Sequence, residues 1–104
     1  MNETDFIEKC CMYAKGFLFL DGDISDPVNN WHSPKMLRRD DIIYPLLLQR
    51  AIEGVNKRTR YTIEQYCSCV LIRPINVENP FVDGTDLTKE GALRRVFKEL
   101  EEEK

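Results

Sequence analysis

The segment from Ser33 to Lys57 constrains the fold more than any other stretch of the chain. Ser33-Pro34 has the form of a helix start, an N-cap followed by a proline at the first helical position, where no amide hydrogen is needed. Pro45 limits the next element, because a helix that contains it must begin within about one turn of it. Asp40 or Asp41 therefore reads as a second cap, with a short helix over 34–39 before a bend or restart. Beyond it, Ile42, Ile43, Leu46, Leu47, Leu48, Ala51, Ile52 and Val55 recur at helical spacing and cover a stripe wider than a two-helix seam requires. Such a helix is packed on more than one side, which makes residues 41–56 the predicted central helix. Gly54, Asn56 and the basic run Lys57, Arg58 and Arg60 read as its closure, the cations suiting the negative end of the helix dipole.

Upstream, Thr4 as a cap and Asp5 in the first turn open a helix with Phe6, Ile7, Cys10, Cys11, Ala14, Phe17 and Leu18 on one face. The spacing predicts helix to about Leu20, with Gly22 where a left-handed residue would end it. The competing reading stops at Lys15 and makes residues 17–20 a short strand. Residues 21–32 show neither period and read as a loop, whose Trp31 either plugs the core, the favoured reading, or serves as an exposed anchor for a partner. Thr62 to Gln65 has capping-box form, and Ile63, Tyr66, Cys67, Val70 and Leu71 continue it as a helix to about Ile72. A strand is the alternative there, since the run is β-prone. Pro74 ends the element. Residues 75–85 read as extended or looped around Pro80 and Asp83-Gly84. Thr85 or Asp86 caps a last helix with Leu87, Leu93, Val96, Phe97 and Leu100 on its apolar face.

The fold class expected is mainly α, four main helices plus a short one around the central helix. The alternative is α+β, with a small sheet from residues 17–20 and 66–77. At 104 residues the chain should form one domain over 1–104, able to bury roughly 65% of its unfolded surface, with residues 101–104 frayed.

Charge and composition exclude more than they assert. A formal net charge of −3 supplies no strong cationic field for nucleic acid. The acidic, polar N-terminus does not have the form of a secretory leader, so a cytoplasmic location is expected. No apolar run approaches the ~20 residues that cross a bilayer.

The stretch from Phe17 to Asp23, an apolar run delivering Asp21-Gly22-Asp23, resembles the first motif of the haloacid dehalogenase phosphatases. The resemblance implies a carboxylate nucleophile at Asp21, a proton-handling Asp23 and Mg²⁺ between them. It covers seven residues and departs from the family at Ile24-Ser25, and the rest of the chain is too short for the parallel sheet the family needs. As a calcium loop the same segment fails, with Asp26 where glycine belongs and His32 where the bidentate glutamate belongs. Cys10-Cys11 and Cys67-x-Cys69 are poorly spaced for zinc and are expected as buried, reduced thiols. His32 is the sole histidine, and Asp26 and Ser33 nearby do not amount to a triad. No catalytic, metal or cofactor residues are assigned.

The expectation by elimination is a small non-enzymatic module that binds another protein or a second copy of itself. Its contact surface is expected at Trp31, His32, Arg38, Arg39, Tyr44, Leu48 and Arg50, aromatic and apolar anchors ringed by charge. The alternatives are a nucleic-acid-associated protein using the basic cluster at 57–60, and a metal-assisted hydrolase using Asp21 and Asp23.

Overall fold

Asn2, rather than Thr4, starts the first helix. Its side-chain oxygen accepts a hydrogen bond from the Asp5 amide at 2.8 Å, and α1 runs over Glu3–Tyr13. The computed structural model describes residues 1–66, 69–74 and 88–102. The helix stops well short of Leu20 because Ala14 turns extended (ψ 113°) and Gly16 takes a left-handed φ of 91°.

Beyond Gly16 the chain enters a sheet. Strands β1 (Leu18–Leu20) and β2 (Asp23–Ser25) form a hairpin whose two turn residues, Asp21 (φ 52°) and Gly22 (φ 85°), both lie at positive φ. Asp-Gly with that pair of dihedrals is the turn that matches the natural twist of an antiparallel hairpin. Strand β3 (Trp31–His32) pairs antiparallel with β2, giving the order β1-β2-β3.

Ser33 then caps the short helix α2 (Pro34–Arg38), accepting from the Met36 amide at 3.2 Å. The Asp40 carboxylate accepts from the amides of Ile42 and Ile43, at 2.9 and 2.7 Å, and α3 runs over Ile43–Arg58 with Pro45 in its first turn. Those two amides hold the Asp40 carboxyl below its ordinary range. The capped restart expected from Asp40 and Pro45 is the one observed.

Residues expected to continue as helix instead form a second antiparallel pair, β4 (Tyr61–Gln65) and β5 (Val70–Pro74). Asn56 helps dictate this. From the last turns of α3 its side-chain amide donates to the Ile63 carbonyl at 3.2 Å and accepts from the Ile63 amide at 2.7 Å, standing in for a neighbouring strand. The last helix, α4, spans Lys89–Glu102, and Thr88 Oγ1 accepts from the Gly91 amide at 3.0 Å. The expected caps Thr85 and Asp86, and Leu87, lie outside the described residues.

The mainly-α reading is therefore corrected. Two small antiparallel sheets accompany four helices among the described residues. Nor do residues 17–20 and 66–77 share a sheet, since β1 pairs with β2 and β5 with β4, while 75–77 lie outside the described residues.

One cluster of buried side chains draws on every helix and on both sheets, including Phe6, Ile24, Leu37, Leu47, Ile63 and Phe97. The wide stripe of α3 is covered over Leu47 to Val55 by α1, α4 and β4, while Ile42 at its start is exposed. Gly54 sits inside α3 rather than closing it, and a Cβ there would lie 2.0 Å from the carbonyl oxygen of Tyr13. The glycine lets two helix backbones meet, a gain that offsets the roughly 1 kcal/mol it costs a helix relative to alanine. Among the described residues no helix is long and apolar enough to cross a membrane.

Candidate functional site

The β2–β3 connection is organised by one buried carboxylate. Asp26, 1% exposed, accepts from the amides of Val28 (2.9 Å) and Asn30 (3.0 Å) through Oδ1 and from His32 Nε2 (2.9 Å) through Oδ2. Backbone bonds between Asp26 and Asn29 and between Asp26 and Asn30 close the loop, with Asn29 at a left-handed φ of 68°. The hydrogen bond from His32, aided by the two amides and opposed by burial, holds the Asp26 carboxyl below its usual range. A buried carboxylate with both oxygens engaged fixes a loop rigidly.

That loop sets where Trp31 stands. Pairing of Leu18 with Ser25 and of Ser25 with Trp31 places all three on one face of the sheet, and alternation adds Leu20. Leu18, Leu20 and Trp31 are each more than half exposed, whereas Ser25 between them is buried. The opposite face carries Ile24 and Phe19 into the core. Trp31 does not plug the core, the favoured reading, but is 53% exposed, as the alternative has it, because the β2–β3 register turns His32 inward and Trp31 outward.

The other expected contact residues lie elsewhere. Arg38, at the end of α2, pairs with Glu3 of α1 (3.0 Å) and Glu90 of α4 (2.8 Å), and its guanidinium lies 5.8 Å from the Tyr44 ring centroid. The Tyr44 hydroxyl also donates to Glu90. Burial first, and the bond to Glu90 second, push the Tyr44 hydroxyl far above its ordinary value. For Glu90, burial acts upward but the bond from Tyr44 and the charge of Arg38 prevail, leaving it lowered. This cluster ties together four helices, and its hydrogen-bonding groups face one another. Arg39 is exposed at the end of α2, Leu48 is buried in the core, and Arg50 Nη1 donates to the Lys15 carbonyl at 2.9 Å. Of the seven, only Trp31 and His32 share the sheet, and only Arg38 and Tyr44 share the four-helix cluster.

Asp21 occupies the hairpin turn and Asp23 opens β2, so β1 runs directly into an antiparallel partner rather than a crossover to a parallel one. Among the described residues no group of three or more histidine, cysteine or carboxylate side chains is placed to hold a metal ion. Cys10 and Cys11 are free and buried, Cys69 is free and half-buried, and Cys67 lies outside the described residues. Sequence reasoning misses Leu18, Leu20 and Asp26 as site residues, although Asp21-Gly22 between apolar residues is a legible hairpin signal. No protein-family model, curated protein or solved structure matches the chain.

Proposed function

We propose that the protein is a small binding module without catalysis of its own, which engages a protein partner through the outer face of the β1-β2-β3 sheet. The observation that carries this reading is the exposure of Leu18, Leu20 and Trp31 on a single face. Scattered apolar residues on a surface need no explanation, whereas three large ones on one face of a small sheet, with Ser25 and Asp23 among them, have the mixed composition of an interface. Tryptophan is also the residue most enriched among side chains that dominate binding energy.

A second copy of the chain is the simplest partner, meeting sheet face to sheet face about a twofold axis. The sheet face is favoured over the stripe of α3 as the meeting surface because α1, α4 and β4 lie against most of that stripe, only Ile42 at its start being strongly exposed. Light scattering after size exclusion at tens of micromolar tests the proposal, together with the emission of Trp31, the sole tryptophan. The expected result is a dimer whose Trp31 emission shifts to the blue relative to dilute protein. A monomer with unshifted emission at every concentration overturns self-association.

A further inference from the structure

We infer that the cavity where the C-terminal end of α1 crosses the second half of α3 binds a small ligand bearing a diphosphate or longer polyphosphate group. The cavity has a volume of about 450 Å³, within the range of small-molecule sites. Four cations line it, Lys15, Arg50, Lys57 and Arg58, against one carboxylate, Glu53, a local formal charge of +3 in a chain whose total is −3.

Among the described residues none of these four cations forms an ion pair, whereas Arg38 is paired to Glu3 and Glu90. Two of the four are nonetheless held in place. Arg50 donates to the Lys15 carbonyl, and Arg58 donates to the Met12 carbonyl while its guanidinium lies 4.8 Å from the Tyr13 ring centroid. Each contact uses one of a guanidinium's five N–H donors, so pre-oriented donors remain. Gly16 is part of the arrangement. At φ 91° it admits no side chain without strain, and a Cβ there would lie 2.9 Å from Arg50 Nη1.

Cys11 contributes a thiol pushed up to about 12, by burial first and by the charge of Glu8 second, so it is neutral and adds no opposing charge. Tyr13 is stacked on Phe97 with ring centroids 5.7 Å apart, giving the cavity a firm aromatic wall. Charge decides the ligand class. The C-terminal ends of α1 and α3 offset part of the formal +3, but four separate cationic groups, two of them guanidinium forks, are more than one phosphomonoester engages, so two linked phosphates suit the lining better than one phosphate or a carboxylate. Guanidinium forks suit phosphate oxygens for the same geometric reason they suit carboxylates.

Lys15 and Lys57 are the residues to change, because neither side chain makes a contact with the described residues that the fold requires. Calorimetric titration of the full chain with inorganic pyrophosphate, orthophosphate and a single-stranded oligonucleotide tests the inference. Pyrophosphate should bind at least about tenfold more tightly than orthophosphate, and the double variant Lys15→Gln/Lys57→Gln should lose about tenfold or more of that affinity. No binding of pyrophosphate at millimolar concentration, or equal binding by the double variant, overturns the inference. An oligonucleotide bound more tightly than pyrophosphate, with the same loss in the variant, also overturns it and assigns the cavity to a nucleic-acid backbone.

Discussion

The apolar stripe of α3 and the outer face of the β1-β2-β3 sheet are built from similar residues, yet the first is closed along most of its length, Ile42 at its start excepted, and the second is open. The stripe runs the length of a 16-residue helix, long enough for α1, α4 and β4 to lie against it. The sheet has strands of two or three residues, with one face packed on the core and Leu18, Leu20 and Trp31 each more than half exposed on the other. The width of an amphipathic stripe therefore measures how many elements of the same chain must pack there. The three exposed apolar residues of the sheet sit on strands too small to recruit a second layer.

Gly54→Ala should break the closed side most severely. A Cβ 2.0 Å from the Tyr13 carbonyl oxygen meets backbone, which cannot swing away as a side chain would. Chemical denaturation should show a loss of about 3 kcal/mol or more, or no cooperative folding at all. A variant as stable as the parent would mean that α1 and α3 do not cross at this point. Gly22→Ala is the counterpart on the sheet. Nothing lies within 4 Å of the added methyl, so only the positive φ resists it, and the loss should be nearer 1–2 kcal/mol, about the strain of one left-handed residue.

Asp26→Asn should fall between these, because the open face depends on a buried carboxylate behind it. An asparagine keeps one acceptor for the amides of Val28 and Asn30 but weakens the bond to His32, a loss of about 1–3 kcal/mol. The pH dependence offers a second test. The folded Asp26 carboxyl lies below its ordinary value of 3.8, so the unfolded chain takes up a proton first as pH falls. Its contribution is whole above that ordinary value and is lost as the pH falls through the lower folded one. Unfolding followed from pH 6 to pH 2 should show Asp26→Asn losing less stability below about pH 4 than the parent chain. Parallel curves would mean that Asp26 is not the group responsible.

The closed side is the more legible in sequence, for reasons the residues make plain. Ser33, Asp40 and Pro45 act within a turn of themselves, so their capping and helix-start roles survive any tertiary context. Phe6, Leu47 and Phe97 belong to apolar patterns that repeat at helical spacing over long elements. The sheets are less legible because their strands are too short for a period to develop, and Ile63 to Ile72 suits helix and strand alike. Asn56 decides that ambiguity from outside the segment, by hydrogen-bonding Ile63 as a strand neighbour does. The hairpin differs, since Asp21-Gly22 carries a specific turn signal that also suits the end of a helix. That turn fixes Leu18 and Leu20 on one face, but Trp31 joins them only through the β2–β3 pairing of Ser25 with Trp31, which no local signal announces. Lys15 and Arg50 are brought together by the helix crossing, and nothing in their separate positions announces it.

The smallest effect on stability should come from the open face itself, and it is the one that separates the two surfaces most cleanly. Leu20→Ser exchanges a half-exposed leucine on an outward face for a small polar residue, so folding stability should change by no more than about 0.5 kcal/mol. The same replacement on α3, Leu47→Ser, would remove a fully buried side chain and leave a hydroxyl without a partner, a loss of several kcal/mol, roughly 3–5. Association should follow the reverse order. If the sheet face is an interface centre, Leu20→Ser and Trp31→Ala each weaken self-association about tenfold or more while leaving the denaturation midpoint in place. Light scattering across a dilution series reads that change directly. A dimer unaffected by both variants would place the interface elsewhere, and a large loss of stability from Leu20→Ser would mean that the sheet's outer face is covered after all.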